Sequence, residues 1–192
     1  MTLSASDLMS LEVYARQRPE FRQRVMAHKQ PRRIAIGPDV KLYFEDRLTI
    51  QYQIQEMLRV ERIFEPEGIA DELAAYNPLI PDGSNWKATM MIEYPAPEER
   101  KRQLQRLVGI ERKTWIQVNG GERVSPICDE DLAREDRNKT SSVHFLRFEL
   151  SQSDISLLKQ GAHVKMGIDH PHYRAVTELT AEQRLALLAD LD

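Results

Sequence analysis

Residues 42–81 read LYFEDRLTIQYQIQEMLRVERIFEPEGIADELAAYNPLIP. The stretch opens on the end of a strand, residues 40–44, and then carries two patterns at once. Leu48, Ile50, Tyr52 and Ile54 alternate with Thr49, Gln51, Gln53 and Gln55, as a half-buried strand would. Ile50, Ile54, Met57 and Leu58 also share one helical face, residues 56–62 are rich in helix formers, and Asp46 is a good N-cap. The second pattern predicts one helix over residues 46–63. Pro66 suits the first turn of a further helix, which runs to Tyr76 and stops at Asn77-Pro78.

Working outward, Ser4 or Ser6 caps a first helix over residues 4–17, and Pro19 starts a second over residues 19–28. Residues 33–36 and 40–44 read as strands around the turn Gly37-Pro38-Asp39. Toward the C-terminus, residues 88–94 form a strand and 98–107 a charged helix. Residues 113–118 and 122–127 flank Asn119-Gly120-Gly121, a hairpin signal. Residues 129–139 are a charged connection or a short helix. A strand over 143–150 and a helix over 153–159 ending at Gly161 follow. Strands 162–168 and 173–177 flank the turn Asp169-His170-Pro171-His172. Thr180 caps a last helix, with Gln183 at the capping-box position. Helices and short strands interleave, which predicts an α+β fold. It would be a single domain over residues 1–192 with a mainly antiparallel sheet and flanking helices. The N-terminal helical segment, residues 4–28, would pack as an appendage.

The chain has 192 residues, 41% hydrophobic and 30% charged, with a net charge of −3. That length buries a core without staples, and the charge balance gives no reason to expect nucleic acid or an anionic membrane as partner. One cysteine, Cys128, rules out an intrachain disulfide and an iron–sulfur cluster of the protein's own. The N-terminus lacks the basic start and apolar run of a signal peptide, and no segment approaches the ~20 apolar residues of a membrane span. A reduced, cytoplasmic protein is expected.

Motifs with a known mechanism are missing: there is no P-loop, GxGxxG, GxSxG or HExxH. Two residue sets could carry chemistry. His170 and His172 sit in a predicted turn, and with Asp169 or Glu93 they are candidate ligands for a divalent metal. Glu45, Asp46, Glu56 and Glu61 could share acid–base work if two of them meet in one cleft. A helix-surface pair with Arg59, three residues on, explains Glu56 about as well. Alternation places His144 with Leu146 and Phe148 on the core side of its strand.

At FEDRLT (44–49) and YQIQEM (52–57) the chain resembles a bacterial family named for a domain of unknown function, number 3501. The likeness continues through YNPLIP (76–81), SVHFLRF (142–148) and HPHY (170–173), and spans nearly the whole chain. The resemblance implies gene neighbours: a rubrerythrin-like protein and an iron–sulfur oxidoreductase of the heterodisulfide-reductase-related type. It supplies no activity and no catalytic residue. The expected function is therefore an accessory protein in an iron-dependent redox or oxidative-stress system, acting by partner or metal binding. The alternative is an enzyme whose site is lined from segments 44–81, 144 and 170–172, with Glu45, Tyr52, Glu56 and His144 as catalytic candidates and Asn77 or His170 beside them. A third reading is a homo-oligomeric structural protein.

Overall fold

The computed structural model describes residues 2–130 and 138–192, so most of the charged connection at 129–139 lies outside the described residues. Helix α1 (Leu11–Lys29) starts at Ser10, whose hydroxyl accepts the Val13 N–H. It runs straight through Pro19, where the sequence predicted a break between two helices. Proline removes one helical hydrogen bond and crowds the preceding turn. Here Tyr14, Phe21 and Val25 lie on both sides of Pro19 and bury as one stripe, which holds the helix together across it.

Strands β1 (Arg33–Ala35) and β2 (Val40–Phe44) form a hairpin. Helix α2 (Arg47–Glu61) follows at once, and the Asp46 carboxylate accepts the Thr49 N–H at 2.9 Å. The helical reading of this stretch holds, because Ile50, Ile54 and Leu58 bury together. Helix α3 (Pro66–Tyr76) carries Pro66 in its first turn and passes into one 3₁₀ turn, Asn77–Leu79.

The remaining elements are β3 (Asn85–Ile92), α4 (Pro97–Arg106), β4 (Thr114–Val118), β5 (Arg123–Val124), β6 (Ile127–Cys128), β7 (Val143–Glu149), α5 (Gln152–Lys159), β8 (Val164–His170), β9 (Tyr173–Glu178) and α6 (Ala181–Leu188). The single strand predicted at 122–127 is two. Pro126 lacks an N–H to give to a ladder, so the chain leaves β5 and re-pairs as β6 against a different neighbour.

The α+β class holds, with the strands divided between two antiparallel sheets. The larger has the order β1-β2-β3-β7-β6 and the smaller β5-β4-β8-β9. Their inner faces share one apolar cluster, with Leu42, Trp86, Met90 and Phe148 from one sheet and Ile116, Val164 and Met166 from the other. Leu104 of α4, Leu158 of α5 and Leu187 of α6 join it. Helices α2 and α3 lie on the outer side of the large sheet and share a second cluster. Helix α1 packs on α2 through a third. Among the described residues no helix is long and apolar enough to cross a membrane.

Candidate functional site

Between the α2–α3 pair and the outer face of the large sheet lies a cleft of about 630 Å³. Strand alternation fixes what faces it. Phe44, Trp86, Ala88, Leu146 and Phe148 point into the core. Their neighbours Glu45, Lys87, Phe145 and Arg147 therefore line the cleft. Met57 comes from α2, Glu72 and Ala75 from α3, and Leu79 from the turn after it.

Each polar group here has a distinct situation. Glu45 is 9% exposed, and its two carboxylate oxygens accept the hydroxyls of Thr49 at 2.6 Å and Thr89 at 2.8 Å. Lys87 Nζ donates to the carbonyls of Pro78 at 2.7 Å and Ile80 at 2.8 Å, stitching that strap to the sheet. Burial lowers the Lys87 pKa. Arg147 grips both oxygens of Glu130 at 2.8 Å and also donates to Glu149. Burial, reinforced by Glu61 and Asp71, raises the Glu72 carboxyl. An apolar recess with a few convergent polar groups is the usual form of a binding site.

Of the expected catalytic residues, only Glu45 is in this cleft. Tyr52 turns toward α1 and packs on Phe21 with ring centroids 6.1 Å apart. Glu56 also faces α1. It accepts Tyr14 Oη at 2.6 Å and Arg18 Nε and Nη2 at 2.7 and 2.8 Å, which brings its pKa down to about 2. Glu61 is exposed near the end of α2, and Asp46 is the α2 cap. Asn77 clamps the N-terminal segment through Leu3, with bonds of 2.7 and 2.9 Å to its N–H and carbonyl.

His144 lies on the opposite face of β7 from the cleft, fully buried on the core side as alternation predicts. Its Nδ1 is 2.6 Å from Asp129 and its Nε2 2.8 Å from Thr140 Oγ1. Hydroxyl, imidazole and carboxylate thus have the connectivity of a nucleophile triad. Thr140 and His144 are both shut off from solvent, so no substrate reaches that hydroxyl. The ring instead ties together the two ends of the connection that separates β6 from β7.

Of the candidate metal ligands only His170 and His172 come close, with ring centroids 5.8 Å apart, and Asp169 and Glu93 are engaged elsewhere. His170 donates from Nε2 to the Val108 carbonyl at 3.1 Å and accepts the His172 N–H on Nδ1 at 3.2 Å, so neither ring nitrogen is left for a metal. Asp169 points to the other face of β8 and takes Trp115 Nε1 and Arg123. Glu93 follows β3 and pairs with Lys41 and Tyr43 on the large sheet. Among the described residues no three His, Cys, Asp or Glu side chains are grouped to hold a metal.

Sequence reasoning passed over two buried charges. Glu111 is 1% exposed and accepts no hydrogen bond among the described residues, with Arg112 Nη1 at 3.3 Å and His144 Nε2 at 4.0 Å. Arg32, at 2%, donates to the carbonyls of Phe44 and Ala186 and to Asp190. No local spacing marks either residue, because their partners come from distant segments. Lys87, Phe145 and Arg147 did carry a signal. The inward alternation of Trp86 and Ala88, and of Leu146 and Phe148, assigns them to the outer face.

A family model described as protein of unknown function (DUF3501) matches residues 2–191. The fold is similar to a crystal structure of a novel protein of unknown function from Burkholderia pseudomallei K96243. That protein is 48% identical, with a TM-score of 0.95 and 100% of both chains covered. No curated protein matches.

Proposed function

This chain belongs to the DUF3501 family of proteins of unknown function, and we propose that it is an accessory protein that works by binding a partner in the α2–α3 cleft. The observation that carries this reading is the separation of the acid–base candidates. Glu45 is in the cleft, Glu56 is engaged by α1, and His144 is across the sheet. General acid–base catalysis needs such groups within hydrogen-bond reach of one substrate. Binding needs only the recess and its apolar walls, and those are formed.

The iron-dependent redox setting implied by the family resemblance supplies the first partners to try. These are a rubrerythrin-like protein and an iron–sulfur oxidoreductase of the heterodisulfide-reductase-related type. The wild-type chain is immobilised beside an Ala75→Trp variant, which puts a large ring into the cleft from an exposed helix position. The wild type is expected to retain one of the two proteins, and the variant to lose at least about tenfold in affinity, the scale of one interface hot spot. Retention of neither by the wild type would remove the redox assignment. Equal retention by the variant would remove the cleft as the working site.

A further inference from the structure

The charges of the cleft are unevenly matched. Its two basic groups are consumed internally, since Lys87 is held by two backbone carbonyls and Arg147 by Glu130 and Glu149. Its acids are not. Glu45, on the floor, receives two neutral hydroxyls and, among the described residues, no cation, so each oxygen keeps a further lone pair. Glu72, on the α3 wall, makes no hydrogen bond or ion pair among the described residues, and its nearby charges there, Glu61 and Asp71, are of its own sign. Two uncompensated carboxylates therefore lie among Met57, Leu79 and Phe145.

A buried carboxylate is stabilised most by a charged donor, and such bonds are roughly twice as strong as neutral ones. A ligand carrying its own carboxylate or phosphate meets repulsion in this cleft. Ala74, Ala75 and Pro78 on its rim are exposed, so the recess is an open trough. A small-molecule site usually buries 70–90% of its ligand. An open trough instead suits a chain segment that keeps one side in water, and charge complementarity selects which one.

From this we infer that the cleft receives a segment of the partner protein that sets one lysine or arginine side chain between apolar side chains. The cation meets Glu45 and Glu72, and the apolar neighbours rest on Met57, Leu79 and Phe145. The inference rests on the binding reading above and specifies its occupant.

The test uses the full chain and three short acetylated peptides, identical but for a central lysine, norleucine or glutamate flanked by leucines. Affinities are read by fluorescence anisotropy. The lysine peptide is expected to bind the wild type about tenfold or more tightly than the norleucine peptide, the scale of one charge-assisted hydrogen bond. The glutamate peptide is expected to bind weakest. Glu45→Gln and Glu72→Gln are expected to erase the lysine preference while keeping the norleucine affinity. Glu72 has no partner to lose, so its variant folds whatever Glu45→Gln does.

The inference is overturned if the lysine peptide does not bind, if norleucine binds as well, or if both glutamine variants keep the preference. Octylamine is titrated alongside as a small amine with an apolar tail, and its binding without peptide binding would overturn the choice of a partner segment. If the charge preference is missing while Ala75→Trp still abolishes partner capture, the occupant is wrong and the binding reading stands. If Ala75→Trp leaves capture unchanged, the binding reading itself fails.

Discussion

Glu56 shows how one side chain can join two elements. Its carboxylate accepts Tyr14 and Arg18 from α1 and Arg59 from its own helix, and Arg18 contributes most to its depressed pKa. The folded carboxyl titrates at about 2 against an ordinary 4.5. Its contribution to stability is therefore complete above about pH 4.5 and is lost as the pH falls toward 2. Arg18 is a third exposed, so solvent screening trims the effect. Replacing Glu56 by Gln is expected to cost about 1–2 kcal/mol at pH 7. Urea titrations of both proteins should converge near pH 2, and a gap that persists there would contradict the account. The local part of this arrangement, Glu56 with Arg59, was legible from a spacing of three. The stronger partner, Arg18, lies 38 residues away and was not.

At the scale of elements, capping chemistry was the most readable feature. Asp46, Ser151 and Thr180 each accept an N–H in the first turn of their helices, and Asp46 and Thr180 were identified from spacing alone, whereas α1 is capped by Ser10 and not by Ser4 or Ser6 as expected. Those signals are local, acting within three residues. Tight packing between strands is less visible. Trp115 of β4 sits directly opposite Gly167 of β8, and a Cβ on Gly167 would fall 2.3 Å from Trp115 Cζ2. Two contacts hold the ring over Gly167. Arg123 covers it at 3.9 Å, and its Nε1 donates to Asp169. Gly167→Ala is therefore expected to cost about 1–3 kcal/mol, the usual range for overpacking. The Trp115 emission should shift with it, and a neutral effect on the melting temperature would count against this packing. Nothing in the sequence announces that glycine, because its need for bareness comes from the strand paired beside it.

The whole molecule closes at its C-terminus. Helix α6 brings Ala186, Leu187 and Asp190 back to the β2–α2 junction, and the Leu187 carbonyl accepts Trp86 Nε1 at 2.9 Å. Arg32 is the hub of that closure. It donates to Ala186 at 2.8 Å and pairs with Asp190, while Asp46, 3.4 Å away, also binds His28. Burial pushes Asp190 from 3.8 up to about 6, because Arg32 only partly offsets desolvation and Asp46 adds repulsion. A raised carboxyl pKa means that the folded state holds this proton more tightly than the unfolded chain does. The contribution of Asp190 is thus largest below about pH 4 and declines as the pH rises through 6. Relative to Asp190→Asn, the wild type is expected to lose on the order of 1–3 kcal/mol between pH 4 and pH 7. Urea midpoints across that range would show it. A constant difference between the two proteins would contradict the raised pKa.

At this scale the amino-acid sequence alone was enough for the α+β class, most of the elements, the core side of β7 and the family. Propensity, capping and alternation act over a few residues, and they suffice for that. The division of the strands between two sheets and the unbroken run of α1 through Pro19 came from long-range packing. That packing also placed His144 and Glu45 on opposite faces of one sheet and, among the described residues, left Glu45 and Glu72 without cations. These outcomes depend on which distant segments bury together. The free energy that selects them, apolar burial and the pairing of buried charge, is distributed over contacts with no fixed spacing in the chain.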